Sequence, residues 1–116
     1  MRDYKIQFQV EDQVYSAIFN LNVMEQIQEE YGSIQKWGGL TDAKSGEPNA
    51  KAIIFGFRAM INEAIEIEND EKGENKPLFT LKQVGRIISR AGLQKSAMAL
   101  NNAVIQATKE DNPKNA

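Results

Sequence analysis

Tyr4-Lys-Ile-Gln-Phe-Gln-Val10 and Val14-Tyr-Ser-Ala-Ile-Phe19, followed at once by Asn20-Leu-Asn-Val-Met-Glu-Gln-Ile-Gln-Glu-Glu-Tyr-Gly-Ser33, decide the fold class. In the first run Tyr4, Ile6, Phe8 and Val10 fall on one side of a strand and Lys5, Gln7 and Gln9 on the other, since successive side chains alternate. Glu11-Asp12-Gln13 is a polar turn. In the second run Tyr15, Ala17 and Phe19 alternate with Val14, Ser16 and Ile18, so both faces are partly apolar. The two runs read as an antiparallel hairpin. An isolated hairpin is marginal in water, so this one must pack on something.

From Asn20 onward the pattern is helical. Asn22 is placed to cap a short helix, with Glu25 three residues on completing a capping box. Met24, Ile27 and Tyr31 recur at helical spacing, and Gly32 ends the run. Ser33 to Trp37 reads as one further turn before Gly38-Gly39 breaks it. Residues 40–49, with Asp42, Ser45, Gly46 and Pro48, have loop chemistry. The longest helix is expected from about Ala50 to about Glu68, on a stripe of Ile53, Ile54, Phe57, Ile61, Ala64 and Ile65. Gly56 interrupts it at a cost of about 1 kcal/mol relative to alanine, and a close helix crossing would explain its presence. Asn69 to Pro77 reads as a charged, flexible connector. Thr80 and Gln83 form a second capping box, Val84, Ile87, Ile88 and Ala91 a buried row, and Gly92 a stop. Ala97, Leu100, Val104 and Ala107 mark a last helix from Leu93 to about Lys109. The expectation is therefore an α+β fold: an N-terminal antiparallel hairpin packed against three main helices plus one short helical turn. One domain spans residues 1–109, and residues 110–116 form a disordered tail.

Composition narrows the function. The 116 residues contain no cysteine and no histidine. Disulfides, thiolate metal sites and thiol nucleophiles are excluded, as are triads with a histidine base. The net charge of −2 is spread along the chain, with no basic stripe to attract a phosphate backbone. No apolar run approaches the roughly 20 residues that span a bilayer. A protein with no cofactor, no metal, no catalytic residues, no small-molecule substrate, no nucleic acid and no membrane partner is expected, in the cytoplasm.

Four local patterns carry an alternative. Thr80 to Asn101 can be read as a helix-turn-helix, but its second helix would bring a single basic residue, Lys95, to DNA, and two packed helices joined by a glycine is the plainer reading. Glu63, Glu66, Glu68, Asp70, Glu71 and Glu74 could hold a hard cation, but their spacing matches no calcium loop and a solvated acidic helix end accounts for them. Trp37 either fills a gap beneath the hairpin or anchors a partner at the surface. Gly38-Gly39 lacks the motif of a phosphate-cradling loop.

Taken together, the hairpin, the helix written Phe19-Asn-Leu-Asn with its Glu-Glu-Tyr31-Gly32-Ser-Ile34 end, the long apolar helix, the acidic connector and Phe79-Thr-Leu-Lys-Gln-Val-Gly-Arg-Ile-Ile88 resemble the small tail assembly chaperones of long-tailed bacteriophages and Gram-positive prophages. The match covers nearly the whole chain. The resemblance implies a non-enzymatic protein that coats the tape measure protein in the host cytoplasm, helps tail tube subunits polymerise, and is missing from the mature virion. Self-association is compatible with it. It also implies a longer frameshifted product in many members, for which the polar residues 110–116 would serve as the junction. A small DNA-binding regulator and a prophage structural or adaptor protein are the competing classes. Because the second strand is apolar on both faces, Tyr15, Met24, Tyr31, Ile34 and Trp37 are the candidate partner contacts.

Overall fold

The computed structural model describes residues 3–44 and 46–109. Strands β1 (Tyr4–Val10) and β2 (Gln13–Phe19) form the antiparallel hairpin, in the register Tyr4 to Phe19 through Val10 to Gln13. Five helices come after it: α1 (Leu21–Tyr31), α2 (Ile34–Thr41), α3 (Ala50–Lys72), α4 (Leu81–Ala91) and α5 (Leu93–Lys109). Helices make up 66% and strands 13% of the described residues, an α+β fold. The expected tail, residues 110–116, lies outside the described residues.

The alternation read from the first strand sets the core. Phe8 and Val10 of β1 and Ala17 and Phe19 of β2 are buried on the face that meets the helices, and the Phe8 ring lies 4.8 Å from that of Phe57 on α3. α3 is the central element: Ala52, Ile53, Phe57, Met60 and Ile61 are buried along it, against β2 on one side and the other four helices around it. Val84, Ile87 and Ile88 of α4 and Ala97, Leu100, Ala103 and Ala107 of α5 complete the core.

Several boundaries depart from the sequence pattern. The cap of α1 is Asn20, whose Oδ1 accepts from Val23 N at 3.2 Å, and the Asn22–Glu25 box does not form. The turn at Trp37 continues through Gly38-Gly39 as a two-turn helix. Its end is tied to α5, where Asn101 Nδ2 donates to Thr41 O at 2.8 Å and Thr41 Oγ1 to Asn101 Oδ1 at 3.3 Å. α3 runs past Glu68 to Lys72 and stops at Gly73, in the left-handed conformation at φ 65. The connector is a pinned strap. Asn69 accepts from Lys76 N and donates to Lys76 O, both at 3.0 Å. Two turns further back along α3, Asn62 accepts from Phe79 N at 2.8 Å and donates to Phe79 O at 3.0 Å. Each side-chain amide thus satisfies a main-chain pair that would otherwise need water. Thr80 and Gln83 form the capping box that opens α4.

Candidate functional site

The five candidate contacts separate in space. Trp37 is 1% exposed and belongs to the core. Its indole Nε1 donates to Ala52 O at 3.0 Å, and its ring lies over Gly56, where a Cβ would overlap Trp37 Cζ2 and stand 3.3 Å from Leu100 Cδ2. Gly56 is therefore the gap that the indole fills, and the crossing it permits is α2 over α3. Trp37 is not a surface contact, because the arrangement that satisfies its N–H and buries its ring runs inward.

Met24, Tyr31 and Ile34 are half-buried on α1 and the start of α2, packed against the core from outside. Tyr31 meets Phe55 of α3 edge-on, with centroids 5.5 Å apart and planes at 82°. Its hydroxyl is buried without a hydrogen-bond partner among the described residues. Burial, and secondarily the nearby Glu30 carboxylate, push the phenol above its usual ionisation range. Beside Phe55, the Arg58 guanidinium stands 5.7 Å from the ring centroid.

Tyr15 sits on a different side of the molecule. Its ring meets Phe79 of the strap edge-on, with centroids 6.0 Å apart and planes at 89°. Here β2, the second half of α3 and the strap enclose an open groove of about 360 Å³. Val14, Tyr15 and Ser16 form one wall, Ile61, Ala64 and Ile65 the floor, and Pro77 and Phe79 the other wall. At its rim Lys76 Nζ bridges to Glu68 and, at 3.6 Å, to Glu74, while Lys72 reaches Glu68 at 3.6 Å. The Lys76 hydrogen bond, with Lys72 and Lys76 nearby, holds the Glu68 carboxyl below its usual range. Both partners are solvated, so this pairing orders the rim more than it stabilises the fold.

Three features escape the sequence pattern. Glu63, which by spacing belongs with the solvated acids, is only 7% exposed: its Oε2 accepts from Asn20 Nδ2 at 2.8 Å and from Asn22 Nδ2 at 3.0 Å. This network ties the start of α1 to the middle of α3, and it is why Asn22 is not a cap. The strap wall is hidden because its only signal is the seven-residue spacing of Asn62 and Asn69. The third is on α5, where Met98 is 65% and Ile105 59% exposed, beside a shallow groove of about 470 Å³ reaching Asp42 and Lys44. Their i, i+7 spacing is visible in the sequence but does not distinguish an outward row from an inward one.

Among the described residues no group of three or more acids is arranged to hold a metal ion, and no helix is long and apolar enough to cross a membrane. α4 and α5 are separated by Gly92 alone. What the arrangement offers chemically is apolar surface flanked by carboxylates and lysines. No family model, curated protein or solved structure matches this chain.

Proposed function

We propose that this chain is a non-enzymatic tail assembly chaperone of a long-tailed bacteriophage or prophage, acting in the bacterial cytoplasm on the tape measure protein and assisting tail tube polymerisation. The observation that carries the reading is the order of elements: an N-terminal hairpin, a helix ending in Tyr31-Gly32, a long apolar helix, an acidic stretch, and a Thr80-capped helix with Val84 in its buried row. That order is the one on which the resemblance to these chaperones rests. The distribution of apolar surface supports it. Tyr15 with Phe79, Met24 with Tyr31 and Ile34, and Met98 with Ile105 are separate small patches on different elements. Small patches give weak individual contacts, and a long repetitive partner converts weak contacts into stable coating through multivalency. No cofactor or small-molecule substrate enters this role.

The experiment is mass spectrometry of purified phage particles together with the infected-cell lysate. The chaperone reading expects the chain in the lysate, bound to tape measure protein, and its absence from particles. Recovery from mature particles in stoichiometric amount would replace it with a structural or adaptor role.

A further inference from the structure

β2 leaves part of its outer edge uncovered. In an antiparallel pair, opposite residues alternate between exchanging hydrogen bonds and pointing their N–H and C=O outward. The two-residue turn Glu11-Asp12 makes Val10 and Gln13 the first exchanging pair. The outward groups of β2 therefore belong to Val14, Ser16 and Ile18. Ile18 is buried, whereas Val14 and Ser16 are exposed, Val14 at 55%. Among the described residues, neither Val14 nor Ser16 has a backbone hydrogen bond outside the strand pairing. This open stretch borders the groove over α3. Because side chains alternate, a cavity touching three consecutive residues, Val14, Tyr15 and Ser16, meets the strand at its edge.

We propose that this groove binds an extended, basic peptide segment, which adds as a third strand beside Val14 and Ser16 and lays apolar side chains on Ile61, Ala64 and Ile65. The outward groups of Val14 and Ser16 repeat at about 7 Å, the two-residue period of a strand, which a helix does not match. The charge of the ligand is set by the surroundings. Glu68 and Lys76 line the groove and are paired with each other, Lys72 and Glu74 join that pairing at the rim, and Glu11 and Asp12 beside Val14 at the hairpin tip leave the surroundings with an acidic excess. Lysine or arginine flanking the apolar side chains complements that rim, whereas a second copy of this chain would bring two identical acidic rims together. The wall facing β2 is already held by Asn62 and Asn69, so binding orders little of the protein. Strand addition here goes beyond the chaperone role and holds whichever protein supplies the segment.

The test uses the full chain, isotope-labelled, and the peptide acetyl-Lys-Val-Thr-Val-Thr-Val-Lys-amide. Bound peptide is expected to slow exchange of the Val14 and Ser16 amide protons by about tenfold or more, the effect of closing one ordinary hydrogen bond. Affinity falls about tenfold in Ser16→Pro, which lacks the outward N–H. It holds in Gln7→Pro, which removes an outward N–H from the opposite edge, and it weakens as salt is raised from about 50 to about 500 mM. Should Ser16→Pro not fold, Ala64→Phe, which fills the floor, must show the same loss. Four results overturn the proposal: no peptide binding, binding without protection at Val14 and Ser16, equal binding by a helical peptide of the same charge, or protection that appears with protein concentration alone.

Discussion

Gly56→Ala sets two physical effects against each other with opposite signs. Helix propensity alone favours alanine in the middle of α3 by about 1 kcal/mol. Packing opposes it, because the new methyl would overlap Trp37 Cζ2 and crowd Trp37 Cε2 and Leu100 Cδ2, each 3.3 Å away. The indole cannot swing clear without breaking its hydrogen bond to Ala52 O, and it is buried on all sides. Overpacking a rigid aromatic contact costs about 1–3 kcal/mol, and an orphaned indole N–H adds about 1–3 kcal/mol if the bond is lost. Packing should win, leaving a net destabilisation of about 1–3 kcal/mol, or a fall in Tm of about 4–12 °C for a domain of this size. Trp37 is the only tryptophan, so its fluorescence reports both the melt and the environment of the contact. In the double variant Gly56→Ala, Trp37→Phe the loss should be less than the sum of the two single losses, since the smaller ring vacates the space the methyl needs. A Gly56→Ala protein that melts at or above the wild-type temperature would refute the packing argument and leave propensity as the dominant effect.

Other perturbations act through the contacts already described. Glu63→Ala strands the buried Asn20 Nδ2, leaving the exposed Asn22 to water, and should cost about 1–3 kcal/mol, with faster amide exchange concentrated in the first turn of α1. Asn62→Ala removes both bonds to Phe79 and should loosen the strap at a cost of about 1–3 kcal/mol, read as protease cleavage between Gly73 and Thr80 that the wild type resists. Tyr31, whose phenol is raised above 10.0 chiefly by burial, binds its proton more tightly folded than unfolded. Its contribution is complete below pH 10 and is lost as pH rises through the folded value. Tyr31→Phe should flatten that alkaline decline in a denaturant series while leaving neutral-pH stability unchanged or slightly higher, because the buried hydroxyl has no partner to lose.

The hairpin, its inward face, the Thr80–Gln83 box and the stops at Gly32 and Gly92 are legible in the sequence because each is written in neighbouring residues. Alternation and capping are local. The features that escape the pattern depend on residues far apart in the chain. Gly38-Gly39 breaks an isolated helix, yet α2 passes through it because Trp37 is anchored beneath α3 and Thr41 is tied to Asn101, sixty residues away. Glu63 looks like its acidic neighbours until Asn20 and Asn22 are folded onto it. Sequence leaves Trp37 between core and surface, and Gly56, with its close crossing, is the residue that decides it. Of the candidate contacts, Tyr15 lines a groove on the same face of β2 as Ala17 and Phe19, toward the hairpin tip where the helices cover that face only in part. The rest of that groove is not legible, because Phe79 is brought there by two asparagine side chains with no motif of their own.

The proposed chaperone role is tested most directly by co-expressing this chain with a phage tape measure protein and measuring how much of that protein stays soluble and co-purifies. A chaperone should move the tape measure protein from the pellet to the supernatant, in complex with several copies of this chain. A tape measure protein that remains insoluble, or that is soluble but never co-purifies with the chain, would contradict that role.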